Sequence, residues 1–288
     1  MTAVVLGLLT AGFFGTAAYL GPVLGRAHGM SAVLVWGQLA AVPVAAVVVG
    51  LIGGAPPSTG IVLLGLLSGV ANGLALSAMF ECARHLPVSV MAPLGSVGAA
   101  VPVAVALLLG ERPATPQLIG IPLALAGVAV VAAGRGKNAG APPPAPDRSR
   151  GLWLAAAWAF LYGVFLSLFA LAVAGGEGIG GELWAVLTSR VSLLVTVAVV
   201  PLLRGGTLRL QPGAVPLAAL NGLLILGGVT AFAAATANGP VSVVSVLATL
   251  SPLVTVALAT LLLRERLGAR QRAGLAAATA GTVLLAAG

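Results

Sequence analysis

Arg190 stands inside the apolar run LWAVLTSRVSLLVTVAVV, residues 183–200, which contains no acidic residue. A guanidinium in hydrocarbon costs roughly 2.5–3.5 kcal/mol on insertion scales unless it is paired or hydrated. This side chain must therefore face a partner or a polar interior. Its planar fork suits the two oxygens of a substrate carboxylate; the alternative is that it snorkels or bonds carbonyls of its own unit. Amides and a phenol are also costly to turn toward lipid. Gln38, Asn72, Tyr162 and Asn221 are thus expected to line an interior cavity with Arg190, joined by Trp36, Ser77 and Thr230. The hydroxyls count for less individually, because in apolar helices they often bond between helices or back to the i−4 carbonyl.

Acidic residues offer a second kind of chemistry, the uptake of a proton in a coupled cycle. Glu81 ends an apolar run, where burial can raise a carboxyl pKa, but Arg84 lies one turn away and an interfacial ion pair is the simpler reading. Glu111 with Arg112, and Glu265 with Arg266, fall in short turns between apolar runs. They can latch one half of the protein in one state, or place negative charge at the N-terminus of the helix that follows. Glu177 and Glu182 flank the glycine-rich GGEGIGGE and read as solvated. No GxxxxGK[ST], HExxH or GxSxG is present, so neither ATP-driven pumping nor proteolytic or esterase chemistry is expected. One cysteine, Cys82, and two histidines give no disulfide, zinc or redox centre, and no cofactor is expected.

The elements that must position these residues follow from composition. Of 288 residues 59% are hydrophobic and 7% charged, against about 25% charged in soluble domains. The apolar blocks run to around twenty residues each, the length that crosses a hydrocarbon core of about 30 Å. Helices are expected near 2–24, 32–52, 60–80, 87–109 and 116–134, then 152–174, 183–203, 213–236, 240–263 and 268–287. The first lacks a basic segment ahead of it and reads as a membrane helix, not a cleaved signal. The net charge of +8 sits between the blocks, which fits topology signals and anionic lipid headgroups and excludes nucleic acid as a partner. RGKNAGAPPPAPDRSR, residues 135–150, is a Pro-rich basic linker between two units, 1–134 and 151–288.

The units repeat one another. LGERPATPQLIGIPLALAGVAVVAAG at 109–134 recurs as LRERLGARQRAGLAAATAGTVLLAAG at 263–288, matching Glu111, Arg112, Gln117, Gly120, Gly127 and Gly134 with Glu265, Arg266, Gln271, Gly274, Gly281 and Gly288. PVSV occurs at both Pro87–Val90 and Pro240–Val243. Five spans per copy is an odd number, so the second copy enters from the opposite side and the two are inverted. Loops after helices 1, 3, 5, 7 and 9 carry nearly all the arginine and lysine, which puts them in the cytoplasm and both termini outside.

PVSVMAPLGSVGAAVPVAVALLLGERPATPQLIGIPLALAGVAVVAAG and PVSVVSVLATLSPLVTVALATLLLRERLGARQRAGLAAATAGTVLLAAG resemble the paired EamA domains of the drug/metabolite transporter superfamily. The resemblance implies a ten-helix, basket-like carrier that exports or exchanges small metabolites such as amino acids, or drugs. This chain departs from it in having Gly37 and Gln38 around the place that corresponds to Arg190, and Arg264 for the usual glycine of the second turn.

The expectation is an all-α polytopic membrane protein of ten transmembrane helices in two inverted five-helix repeats. It would act as a secondary transporter of an amino acid or similar amphipathic solute in the cytoplasmic membrane of a bacterium. Alternating access would be driven by protons, exchange or the solute's own gradient, with a monomer sufficient and a homodimer compatible. The alternatives are a multidrug or sugar/nucleotide-type carrier of the same fold and, outside transport, a membrane scaffold or intramembrane enzyme.

Overall fold

The computed structural model describes residues 2–82, 85, 98, 100–133, 148–203, 205, 207–251, 253–255, 257–258 and 268–286. Among them the chain is helical, without strands. The helices are α1 (Thr2–His28), α2 (Met30–Ile52), α3 (Thr59–Cys82), α4 (Ala100–Leu108), α5 (Thr115–Ala133), α6 (Arg148–Gly175), α7 (Gly178–Leu203), α8 (Val215–Ala237), α9 (Val241–Ala248) and α10 (Ala269–Ala286). A 3₁₀ turn, Pro212–Ala214, leads into α8. In lipid every backbone N–H and C=O must be satisfied within the segment, and apolar runs with few charges accordingly wind into helices.

Among the described residues, six segments are long and apolar enough to cross a membrane: Thr2–Gly25, Met30–Ile52, Thr59–Cys82, Ser149–Gly175, Gly178–Leu203 and Pro212–Ala237. The four remaining helices are shorter in their described apolar stretches, so the expected ten spans are met in six. The ninth segment, expected as one run over 240–263, is interrupted: α9 ends at Ala248, a turn takes Thr249 and Leu250, and helical geometry resumes at Ser251. The Thr249 N–H is shared between the carbonyls of Ser245 and Val246, at 3.2 and 3.1 Å.

Helix directions can be read from close approaches. α1 runs antiparallel to α8, with Ala3 beside Gly239, Phe14 beside Gly228 and Gly21 beside Asn221. α3 runs antiparallel to α6, with Ile61 beside Gly175 and the Cys82 thiol donating to the Gly151 carbonyl at 3.4 Å. α5 and α10 are antiparallel as well, Gly120 meeting Gly281 and Leu285 while Gly127 meets Gly274 and Ala278. Small residues at these contacts let the helices approach closely. Adding five to every helix number turns α1·α8 into α6·α3, α2·α8 into α7·α3 and α1·α9 into α6·α4. It carries α2·α7, α4·α9 and α5·α10 onto themselves.

The interior is built largely from alanine, valine and leucine, with Phe165, Leu166, Phe169 and Phe232 fully enclosed between α6 and α8. Large aliphatics such as Val47, Leu51, Leu63, Val195 and Leu220 point outward, as suits a surface bathed in acyl chains.

Candidate functional site

Arg190 is the thirteenth of the 26 residues of α7, because that helix begins at Gly178 and not at 183. The side chain therefore lies at mid-membrane depth, deeper than the sequence reading placed it. It is fully buried. Nη2 lies 3.4 Å from Ser189 Oγ, while Nε and Nη1 have no hydrogen-bond partner. No carboxylate pairs with it among the described residues. Such a cation is costly to bury alone, and two of its guanidinium nitrogens are left without a hydrogen-bond partner.

Packing explains how α2 and α7 present their polar residues. Gly37 of α2 abuts Gly222 of α8, and Ser189 of α7 abuts Gly69 of α3 in the same manner. The next residue along each helix is Gln38 in one case and Arg190 in the other, so these two occupy corresponding places in the pattern of helix contacts. Gln38 is 1% exposed and its Oε1 has no partner. Asn221, one residue before Gly222, is 2% exposed, lies beside Gly21 of α1, and leaves Oδ1 without a partner. Asn72 is buried on α3.

Tyr162 on α6 is within electrostatic range of Arg190. From it an aromatic ladder runs through Phe165 and Phe169 to Phe232 on α8, with ring centroids 5.7, 5.8 and 6.0 Å apart. Tilted rings at this spacing give a rigid apolar wall. The sequence reading missed the phenylalanines, although the i, i+3, i+7 spacing of Tyr162, Phe165 and Phe169 on one helical face was there to be seen.

Other expected members lie elsewhere. Trp36 is partly exposed, and its indole N–H donates to the Leu208 carbonyl at 3.0 Å, so it fastens α2 to the loop before α8 and does not join the buried polar group. Ser77 and Thr230 donate to the carbonyls of Gly73 and Leu226 in their own helices, at 2.8 and 3.0 Å. Both are engaged with backbone.

Among the acids, Glu81 lies 3.7 Å from His85 Nε2 and 3.8 Å from Arg150 Nη2, which ties the end of α3 to the start of α6. Arg84, the partner expected from spacing, lies outside the described residues. Glu111 does not cap the helix that follows it. Its Oε1 accepts from Ser242 Oγ at 3.0 Å and its Oε2 from the Ser242 N–H at 3.3 Å, at the first turn of α9. The start of α5 is served by Gln117 instead, whose Oε1 accepts the Ala114 N–H at 3.0 Å. Arg112 is exposed in the same turn, and Glu265 and Arg266 lie outside the described residues. Glu182 lies within α7 and is half-buried, where a solvated loop was expected. Ser245, which the sequence reading did not single out, is fully buried with no partner for its hydroxyl.

A crystal structure described only as that of a protein resembles this chain with a TM-score of 0.76 at 17% identity, over 99% of this chain and 98% of the other, which shows a shared fold. No curated protein matches the sequence. Residues 149–287, which carry α6–α10 and hence Tyr162, Arg190 and Asn221, match the EamA-like transporter family. The chain is a multi-pass membrane protein whose second half is similar to the EamA-like transporter family.

Proposed function

We propose that this protein is a secondary transporter of the drug/metabolite type that exports or exchanges a small amphipathic carboxylate, such as an amino acid, across a bacterial cytoplasmic membrane. Arg190 takes the carboxylate through Nε and Nη1. The acceptor oxygens of Gln38 and Asn221 receive an ammonium or hydroxyl, and the Tyr162–Phe165–Phe169 wall lies against the apolar part. The observation that carries this reading is the fully buried guanidinium with two nitrogens unpartnered and no acid beside it among the described residues.

Units 1–134 and 151–288, joined by the linker at 135–150, are inverted copies that rock about the centre and open it to one face at a time. Support comes from the exchange of helix contacts on adding five, and from the antiparallel packing of α5 on α10. Two equivalent helices related by an axis in the membrane plane must run in opposite directions. One chain then supplies both halves of the site, and a monomer suffices.

Uptake and counterflow in proteoliposomes with pooled labelled amino acids test the reading, comparing wild type with Arg190→Ala, with and without a pH gradient. Counterflow in wild type that is lost in a folded Arg190→Ala is the expected result. No flux in folded wild type overturns the amino-acid assignment and directs the search to sugars and drugs.

A further inference from the structure

We propose that the Tyr162 hydroxyl completes a carboxylate clamp with Arg190: the phenol O–H donates to one oxygen of the same carboxylate that Arg190 takes. The inference rests on the transporter reading and its assignment of Arg190 to a carboxylate. It adds a second donor, from another helix, on the residue whose ring begins the apolar wall.

Two matching contacts locate Tyr162 in the pattern of helix packing. Gly15 of α1 is met by the Ser251 carbonyl and the Val254 side chain, and Gly163 of α6 is met by the Gly98 carbonyl and the Val101 side chain. Ser251 and Val254 lie 153 residues after Gly98 and Val101, the interval that also separates Gly222 from Gly69. The residue before each glycine occupies the corresponding place, Phe14 in one case and Tyr162 in the other. Both are partly buried against the same apolar cluster. Packing at this place asks for an aromatic ring and is satisfied by phenylalanine, so packing does not account for the oxygen of Tyr162.

Gln38 and Arg190 correspond in the same manner. The two positions therefore depart from their counterparts together: a plain ring and an amide on one side, a phenol and a guanidinium on the other. Tyr162 and Arg190 also lie within electrostatic range of one another. The phenol has its ring contact with Phe165 and no hydrogen bond among the described residues. A hydroxyl that served only to satisfy Arg190 would accept from one of its nitrogens, yet Nε and Nη1 have no partner and Nη2 goes to Ser189. A ring that served only as a face for the cation would need no oxygen.

A neutral phenol leaves the charge of Arg190 uncancelled and brings one O–H of its own. Donors from α6 and α7 thus meet without an acid between them among the described residues. An ionised carboxylate accepts only, with two oxygens and about four acceptor sites, and can take the guanidinium and the phenol at once. An amide of the same shape has one acceptor oxygen and turns an NH₂ toward the donors, so it suits the clamp poorly. The ladder of Phe165, Phe169 and Phe232 behind the Tyr162 ring restrains its tilt and keeps the hydroxyl in one place.

Melting temperatures of the full chain in lipid nanodiscs at pH 6, titrated with isovalerate and isovaleramide and with L-leucine and L-leucinamide, give apparent affinities from ligand-induced stabilisation. Wild type is expected to bind a carboxylate in preference to its amide, and Arg190→Ala to lose that preference. Tyr162→Phe should keep the ligand-free melting temperature and bind the carboxylate roughly ten- to a hundredfold more weakly, the worth of one hydrogen bond to a charged group. The amide should change little. A folded Tyr162→Phe with wild-type affinity for the carboxylate overturns the clamp while leaving Arg190 its role, and equal weakening of carboxylate and amide overturns it in favour of packing. A wild type that binds no carboxylate, or binds it no better than the amide, overturns the clamp and the Arg190 assignment together. If Tyr162→Phe does not fold, 3-fluorotyrosine incorporated at position 162 keeps the shape and makes a stronger donor; it must tighten the carboxylate, and an unchanged affinity overturns the clamp.

Discussion

At Gly222 a β-carbon would run into the carbonyl and Cα of Gly37, and backbone cannot swing aside as the end of a side chain can. Gly222→Ala is expected to cost about 1–3 kcal/mol, the scale of overpacking a tight contact. It would be read as a lower melting temperature in detergent and as lost polar geometry around Asn221 and Gln38. Gly50 is the control, since nothing lies within 4 Å of a β-carbon there, and Gly50→Ala should be neutral or slightly stabilising. Residue-scale legibility divides along similar lines. Arg190, Gln38, Asn72 and Asn221 could be read as interior from their types, because the cost of turning them to lipid decides the matter. The partner of Glu111 could not be read, because nothing local to the turn points to a serine 131 residues on.

Elements show the same division between local and distant causes. The start of α5 is an N-terminal arrangement in which Gln117, at the third helical position, reaches back to the Ala114 N–H. Gln117→Ala should remove about 1 kcal/mol of stability, seen as a modest fall in melting temperature, with Gln117→Glu largely restoring it. Apolar run length located the helices, since a buried backbone in lipid has few other choices. It could not show that the ninth segment breaks at Thr249–Leu250. A proline inside an apolar run is compatible with a kink, a turn or an uninterrupted helix, and the packing around it chooses. α2 passes Pro43 and α5 passes Pro122 without a break, so the residue type alone does not foretell which prolines interrupt.

For the whole molecule, helix contacts exchange on adding five and α5 packs antiparallel on α10, while the sequence repeats Glu111, Gln117, Gly120 and Gly127 some 154 positions later. Packing repeats more faithfully than chemistry does. Gly37 and Ser189 each abut a glycine, Gly222 and Gly69, yet the residues beside them are a neutral amide and a cation. In the transporter proposed above, a solute entering from one face would therefore meet Arg190 in different company than a solute entering from the other. In sealed, uniformly oriented vesicles without a pH gradient, half-saturation for net transport into a solute-free opposite side should differ between the two faces. Maximal velocities must then differ in proportion, so that Vmax/KM is the same in both directions and no net flow arises at equal concentrations. On the carrier reading proposed above, a nearly two-fold scaffold with one unshared charge has kinetics with a handedness that its equilibrium lacks.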